Sequence, residues 1–314
     1  MDICVKTSFG KNVELFKKSN NIKEGCWIRL ISPDDELIKK ISADFNIDSE
    51  IIHDMIDSES VPNIENETDE GYISIILRVP HKVEGEMITI PFGILFLKKQ
   101  KIILTVCKFD DAVSKKLFNS SPIKFRTDKK SIFFSNFLSI LINEYMCQLK
   151  VIGREINLVE KSIETALQNK KLVELLSLQK TLVYFKTAMV GNKKVISKIS
   201  LGRVFLINEE NKDLLEDIII DIDEASELIS IYSQIIKNTT DTYSSIVSNN
   251  LNSIMKVLAL ITVAISIPTM VGSFYGMNIS LPFQSEGQAF FIIVLFSVTI
   301  TVLSILVFRL KKWI

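Results

Sequence analysis

Hydrophobic and polar positions follow a mixed pattern over roughly the first 125 residues of the chain. Short runs rich in β-branched and aromatic residues are separated by turn residues, which is typical of strands. These runs predict strands at Cys26–Ile31, Tyr72–Val79, Ile88–Leu97 and Lys101–Cys107. Helical spacing between them predicts helices near Asp35–Phe45 and Ser49–Met55. The sequence therefore predicts an α/β domain over residues 1–125.

The pattern changes to long helices after this domain. Five prolines fall between Pro33 and Pro122, and the next is Pro268. A proline-free interval rich in Leu, Ile, Lys and Glu favours long helices. The spacing predicts helices from Ser131 to about Leu167, from there back to about Ile199, and from Asn211 to Phe274. Residues 126–250 are thus predicted to form a helical hairpin and a long stalk helix.

The stalk helix carries an apolar stripe with a spacing of three and four residues. A narrow stripe repeated every 3.5 residues needs a partner surface, which is either the preceding helices or other copies of the same helix. Its members are Leu215, Ile218, Ile222, Ala225, Ile229, Tyr232, Ile236, Thr239, Tyr243 and Ile246.

Two long runs near the C-terminus contain no charged side chain. They are Val257–Ser285, of 29 residues, and Gly287–Phe308, of 22 residues. Each exceeds the roughly 20 residues that cross a bilayer. Residues 251–314 are therefore predicted to form a transmembrane pore domain of two helices.

Basic residues flank the two runs on one side only. Lys256 precedes the first run, Arg309, Lys311 and Lys312 follow the second, and the intervening loop Ile279–Gln288 has no Lys or Arg. The positive-inside rule then places both termini in the cytoplasm. We expect a multi-pass protein of the plasma membrane, which is the inner membrane in a Gram-negative cell.

Composition excludes several other classes of function. Residues 1–255 hold 33 Lys and Arg against 36 Asp and Glu, which gives no basic surface for nucleic acid. The four cysteines form no C-x-x-C pair, and His53 and His81 have no partner at metal-ligand spacing. The sequence contains no nucleotide-binding or hydrolase motif. We therefore expect no enzyme activity and no catalytic cofactor.

The first transmembrane run continues the stalk spacing with polar positions. Lipid offers hydroxyl groups no partner, so these side chains bond their own backbone, pack between helices, or line a wet path. Two spans cannot enclose a pore, so a path requires several copies around an axis. Neutral oxygens suit an ion that keeps its water, as Mg²⁺ does. The positions are Asn252, Met255, Leu258, Thr262, Ser266, Thr269 and Ser273.

The first run ends in Tyr275-Gly276-Met277-Asn278, followed by a short loop and one more apolar run. In this position the tripeptide Gly276-Met277-Asn278 resembles the signature of the CorA family of divalent-cation channels. The basic, Trp-containing end from Lys311 to Ile314 is similar to that family, as is the stretch from Trp27 to Asp57. The resemblance covers essentially the whole chain.

The resemblance implies a funnel-shaped homopentamer in the lipid membrane that transports Mg²⁺ and closes when cytosolic Mg²⁺ binds between copies. It assigns the outer ion filter to Asn278, which contacts the ion through hydration water, supported by Gly276 and Met277. It assigns an inner hydrophobic constriction to Met255 and Leu258, a polar ring to Asn252 and a pore position to Thr269. Asp217 matches a regulatory metal residue on the stalk helix.

The chain departs from the family pattern at two pore positions. Gly272-Ser273 replaces the Ala-Gly of many members, and Ser266 replaces a pore methionine. The departures leave ion preference open, so a related transporter for Zn²⁺, Co²⁺ or Ni²⁺ is one alternative. A membrane-anchored coiled-coil scaffold that conducts nothing is another, although an anchor needs neither the polar stripe nor the Gly-Met-Asn turn.

Overall fold

The computed structural model describes residues 2–9, 12–17, 25–67, 71–119, 127, 129–165, 169–201, 209–279 and 287–311. The chain divides into two compact units. We call Met1–Lys237 the sheet unit and Asn238–Ile314 the span unit.

A mixed β-sheet forms the centre of the sheet unit. Its spatial order is β2-β1-β3-β7-β6-β5-β4, and every neighbouring pair is antiparallel except β3 and β7, which run parallel. The four predicted strands are confirmed, with β5 and β6 longer at one end; β1, β2 and β4 were not predicted. The strands are β1 (Asp2–Phe9), β2 (Asn12–Lys17), β3 (Cys26–Ile31), β4 (Asn63–Glu67), β5 (Tyr72–Val83), β6 (Glu86–Leu97) and β7 (Ile102–Cys107).

Seven helices lie within the described residues. Three short ones begin at Asp residues whose carboxylates accept backbone N–H groups, namely Asp34, Asp48 and Asp111, which is how a helix start satisfies its free donors. The helices are α1 (Asp35–Phe45), α2 (Ser49–Ile56), α3 (Ala112–Phe118), α4 (Lys130–Thr165), α5 (Asn169–Ser200), α6 (Glu209–Tyr275) and α7 (Ala289–Leu310).

The predicted helices are confirmed, and α3 is an addition. The long helix predicted at Asn211–Phe274 is α6, with two residues more at its start and one more at its end. The end of α4 predicted near Leu167 lies outside the described residues.

The sheet is covered on both faces, because its strands alternate side chains between two apolar layers. Ile28 and Leu30 of β3 pack in one cluster with α1 and α2. Trp27 points the other way, where its ring makes an edge contact with Phe133 of α4 at 5.3 Å. Its indole N–H donates to Thr105 Oγ1 at 2.8 Å. This buried bond satisfies the polar atom of a fully buried Trp.

Arg78 of β5 joins the sheet to α4 and α5. Its backbone N–H donates to Asn192 Oδ1 of α5 at 2.9 Å. Its carbonyl accepts from Tyr145 Oη of α4 and from Asn192 Nδ2, both at 2.9 Å. Its guanidinium donates to the backbone carbonyls of Ser58 and Ser60. One residue thereby fixes the two long helices against the strand.

The first part of α6 packs on the preceding helices of the sheet unit. A Cβ atom on Gly153 of α4 would lie 2.5 Å from Tyr232 Oη of α6, so the end of this tyrosine side chain lies directly against the glycine. Lys193 of α5 forms an ion pair with Asp223 of α6 at 2.5 Å. The apolar stripe is buried at Leu215, Ile218, Ile222, Ala225, Ile229 and Ile236. Of the two partners considered for the stripe, the preceding helices cover this part.

Candidate functional site

Two helices of the described chain are long and apolar enough to cross a membrane. One lies within α6 and the other is α7 at Phe290–Leu310. Most of the predicted outer loop, residues 280–286, lies outside the described residues, as do Lys312, Trp313 and Ile314.

One face of α6 in the span unit packs against α7. Its side chains are partly buried, in contrast to the other side chains between positions 251 and 275, and they are Leu260, Val263, Ala264, Ile267, Val271 and Tyr275. Ile267 and Val271 line a cavity of about 580 Å³ together with Ile293 and Phe296 of α7. These six positions recur every three to four residues and therefore define one side of the helix.

The predicted pore positions lie on the opposite side of α6. At about 100° per residue, the stripe from Asn252 to Ser273 is centred about half a turn away from the face that packs on α7. All seven stripe residues are exposed in the single chain. The structure thus brings the predicted residues onto one face and leaves that face without a partner among the described residues.

Three hydroxyls of the stripe bond to the backbone one turn earlier. Thr262 Oγ1 donates to the Leu258 carbonyl at 2.9 Å, Ser266 Oγ to the Thr262 carbonyl at 2.7 Å, and Thr269 Oγ1 to the Ile265 carbonyl at 2.8 Å. The sequence left internal bonding and a wet face as alternatives for these side chains. The structure shows the internal bonds and an exposed face together.

Near its N-terminal end the stripe contains two apolar residues, Met255 and Leu258. Met255 and Leu258 expose 56% and 54% of their surface. Asn252 lies one turn earlier and lines a cavity of about 620 Å³ with Met255, Lys256 and Phe308. A ring of Met and Leu side chains can gate a pore by excluding water.

The C-terminal end of α6 closes in a tight turn. The Gly276 N–H donates to the carbonyls of Gly272 and Ser273 at 3.0 and 3.3 Å, and the Met277 N–H donates to Phe274 O at 3.2 Å. Gly276 does not have a positive φ angle, and a Cβ there would meet only backbone oxygens at ordinary distances. No backbone strain within one chain therefore requires this glycine. Met277 and Asn278 are exposed beyond the turn.

Ser297 of α7 is a buried polar side chain that the sequence did not single out. It is 5% exposed, and its Oγ has no hydrogen-bond partner among the described residues. Thr299, Thr301 and Ser304 instead donate to carbonyls one turn earlier. Ser297 lines a cavity of about 410 Å³ with Pro268 and Gly272 of α6. No sequence signal separated Ser297 from the other hydroxyls.

Asp217 lies on the exposed surface of α6 in the sheet unit. Within the described ranges, no group of three or more His, Cys, Asp and Glu side chains is placed to hold a metal ion. A metal site that uses Asp217 therefore needs ligands from outside this set, such as a second copy.

One polar cleft of the sheet unit is lined by charged side chains that form ion pairs. It measures about 500 Å³ and is lined by residues that include His81, Asp110, Lys115 and Glu144. Burial would raise the pKa of Glu144, but hydrogen bonds from Lys116 and Gln148 outweigh burial and hold that pKa below its usual value. Burial lowers the pKa of His81, whose ring stacks on Phe109 at 5.0 Å.

A sheet unit with covered faces, a helix of 67 residues that ends in an apolar segment, and one further apolar helix define a two-span membrane protein. Residues 23–312 match the model of the family described as CorA-like Mg²⁺ transporter protein, and the chain belongs to this family. The predicted family and the predicted absence of enzyme activity are confirmed, because this is a family of transporters.

Relatives and solved structures agree with this assignment. The cobalt/magnesium transport protein CorA of Methanocaldococcus jannaschii is 25% identical over 297 residues, which is 92% of this chain and 91% of that protein. The protein of the same name from Thermotoga maritima is 22% identical over 88% of this chain and 80% of its own length. The complete structure of the Methanocaldococcus jannaschii CorA magnesium transporter superposes with a TM-score of 0.84 at 22% identity and covers 100% of this chain and 99% of its own.

A more distant structure shares the same fold. The full-length CmaX protein superposes with a TM-score of 0.75 at 12% identity and covers 99% of this chain and 98% of its own. The predicted CorA-like fold class, with an α/β region, a long helix and a C-terminal apolar helix, is confirmed.

Proposed function

We propose that this protein transports Mg²⁺ across the plasma membrane through a homopentameric channel. Family membership supports transport of divalent cations. An inside-negative potential of 100 mV gives a divalent ion roughly 4.6 kcal/mol of inward drive, so no energy-coupling motif is required.

The observation that carries this proposal is the exposed polar face of α6 opposite α7. Lipid cannot satisfy Asn252 and Asn278, and α7 already covers the other side of the helix. Five copies that turn this face inward would enclose a path of neutral oxygens. Both termini then lie in the cytoplasm, residues 251–314 form the pore, residues 1–125 the cytoplasmic α/β domain, and residues 126–250 the hairpin and stalk.

The outer filter consists of Gly276, Met277 and Asn278. The turn at Gly276 leaves Asn278 exposed beyond the helix end, where its amide oxygen accepts hydrogen bonds from the water shell of the ion. Mg²⁺ gives up that shell reluctantly, so contact through water is the favourable mode of recognition. The absence of charge on this face also prevents a divalent ion from binding too tightly to leave.

The proposed filter is tested by ion flux. Proteoliposomes loaded with a Mg²⁺-sensitive dye should show influx with wild-type protein, and we expect Asn278→Ala to reduce it by roughly tenfold or more because a ring of acceptors is lost. Thr299→Ala removes a hydroxyl with the same internal bond from α7 and should conduct like wild type.

Lack of influx through wild-type protein that is shown to be assembled would contradict the channel and favour the scaffold. Equal influx through Asn278→Ala would remove Asn278 from the filter.

Closure by cytosolic Mg²⁺ is assigned to a site shared between copies that includes Asp217. We expect Asp217→Ala to weaken the protection of α6 from protease that Mg²⁺ confers, since one ligand of the bridging ion is removed. Glu216→Ala, at an exposed neighbour that points away by about a quarter turn, is the control. Protection that survives in Asp217→Ala would exclude this residue from the site.

Transport of Co²⁺ is a second candidate activity. It is favoured by the names of the Methanocaldococcus jannaschii and Thermotoga maritima relatives, both cobalt/magnesium transport proteins. Neutral oxygen acceptors do not exclude Co²⁺ that retains its water shell. Influx of Co²⁺ is measured in the same liposomes, with Mg²⁺ as competitor. Co²⁺ influx that Mg²⁺ inhibits would show that both ions use the same path, and absent Co²⁺ influx would exclude Co²⁺ as cargo. Zn²⁺ and Ni²⁺ are tested in parallel.

A further inference from the structure

The three bonded hydroxyls of the pore stripe have a fixed polarity. A hydroxyl has one proton to donate and two lone pairs that accept. A backbone carbonyl has no proton, so in each of the three bonds the proton of Thr262, Ser266 or Thr269 is committed to the helix itself. Each of the three exposed hydroxyl oxygens can therefore only accept hydrogen bonds from its surroundings.

The three oxygens follow one another along the helix at short intervals. With a rise of about 1.5 Å per residue, Thr262 and Ser266 are separated by roughly 6 Å, and Ser266 and Thr269 by roughly 4.5 Å. Without the Ser266 hydroxyl, the gap from Thr262 to Thr269 would be roughly 10 Å. Ser266 is thus the position that makes the series continuous.

The stripe changes character inward of Thr262. Leu258 and Met255 present only apolar surface, and they are more than half exposed. Asn252 is the next polar side chain of the stripe, roughly 9 Å inward of Leu258. The apolar part of the face is therefore short.

We propose that Ser266 is a pore-lining residue of the proposed channel that joins Thr262 and Thr269 into an acceptor-only ladder, and that this ladder keeps the path wet outward of Leu258. This inference rests on the proposed function. The waters bound to a cation point their hydrogens outward, so such a ladder accepts a hydrated cation at each turn. Among the described stripe residues, Met255 and Leu258 then form the only barrier to water.

The hydroxyls of α7 provide a matched comparison. Thr299 is exposed and donates to the Leu295 carbonyl at 2.7 Å, the same bond that the ladder residues make. It lies on the other helix, among large exposed apolar side chains that suit lipid. A difference in reactivity or flux between variants at positions 266 and 299 therefore reflects where each side chain lies and not its chemistry.

Accessibility to Ag⁺ tests the wet path. The native cysteines, Cys4, Cys26, Cys107 and Cys147, all precede the span unit, so a single introduced cysteine there is identified by its peptide mass. Ag⁺ is applied to the outer side of vesicles at high internal Mg²⁺, and the remaining free thiol is quantified by alkylation. We expect Ser266→Cys to react at least tenfold faster than Thr299→Cys and faster than Asn252→Cys, which lies inward of the apolar ring. Equal rates at positions 266 and 299 would overturn the ladder.

Mg²⁺ flux provides the second readout. Ser266→Leu should lower influx by roughly tenfold, because an apolar ring interrupts the ladder and adds a second barrier, whereas Ser266→Thr should stay within about twofold of wild type. Thr299→Leu should conduct normally. Normal flux through Ser266→Leu would overturn the inference while the wild-type flux upholds the channel.

The two proposals fail in different ways. Absent wild-type flux would contradict the proposed function, and the Ag⁺ rates would still decide whether the face is wet. Wild-type flux with slow reaction at Ser266→Cys would leave the channel standing and overturn the ladder.

Discussion

The sheet unit buries most of its large apolar side chains, whereas the span unit exposes many of its own. In the sheet unit, Trp27 is fully buried and its N–H finds Thr105 across the sheet. In the span unit, Phe291 and Leu295 of α7 are 72% and 70% exposed. Such exposure would cause aggregation in water and is normal in lipid. The comparison shows that one chain buries the core of the sheet unit, whereas the span unit exposes large apolar side chains that suit a bilayer.

Hydroxyl groups show the same contrast at the level of single bonds. Thr181 of α5 donates to the Met87 carbonyl of β6, 94 positions away in the chain. Thr262, Ser266 and Thr269 reach back only four positions. The Thr181 bond links two elements of the fold and so stabilises tertiary structure. The bonds of Thr262, Ser266 and Thr269 lie within α6 and do not fix this helix against any other element.

The largest effect is expected from removing the buried ring of the sheet unit. Trp27→Ala leaves a cavity against Phe133 and removes the indole N–H that donates to Thr105 Oγ1, which should cost about 3–5 kcal/mol of unfolding free energy. Leu295→Ala in the span unit removes an exposed side chain and should cost less than about 1 kcal/mol. Denaturant unfolding in nanodiscs, followed by circular dichroism, measures both. Equal destabilisation by the two changes would show that α7 packs as tightly as the sheet.

A smaller effect is expected at two glycines of the long helices. Gly153→Ala places a methyl group 2.5 Å from Tyr232 Oη, and the required shift should destabilise the sheet unit by about 1–3 kcal/mol. Gly272→Ala meets no atom within 4 Å in the single chain and should leave unfolding unchanged. Thermal unfolding of the two variants, together with their oligomeric state, makes the comparison. Disassembly of Gly272→Ala would reveal that another copy occupies this space.

The smallest effect is expected from pH, and it should arise in the sheet unit, which holds both histidines. Burial keeps the folded pKa of His81 below its unfolded value, so the unfolded chain takes up this proton first as pH falls. The contribution of His81 to stability is therefore complete above pH of about 6.5 and declines as pH drops from there towards the folded pKa.

His81→Gln should make unfolding less dependent on pH in this window. With Trp313→Phe in both proteins, fluorescence of Trp27 reports the sheet unit alone. Identical pH profiles with and without His81 would show that other groups set the dependence.

Much of the fold could be predicted because long, strongly periodic segments carry their own signal. The α6 helix and strand β3 agree closely with their predictions. Two of the missed elements, β4 and α3, are short or polar. Strand β4 reads Asn-Ile-Glu-Asn-Glu, whose pairing with β5 depends on tertiary context, and α3 has only seven residues.

The candidate site divides along similar lines. Helical spacing alone predicted that the residues from Asn252 to Ser273 in the stripe share one face. In the structure α6 is helical throughout this segment, and these residues do lie on one face. The internal hydroxyl bonds could be predicted only as one alternative. The rotamer of each side chain determines whether its hydroxyl bonds to the backbone or to water, and the sequence does not give the rotamer. The buried position of Ser297 could not be foreseen, since it depends on which side of α7 meets Pro268 and Gly272.

The α6 helix runs through both units, and this has a consequence for biosynthesis. The last strand of the sheet ends at Cys107, and about 150 residues follow before the first apolar run begins at Val257. At 5–20 residues per second, a ribosome needs about 8–30 s to make that interval. The sheet can therefore form before either of the two apolar runs emerges from the ribosome. The final turns of α6 then enter the bilayer as an extension of a helix whose first turns have a folded domain to dock on.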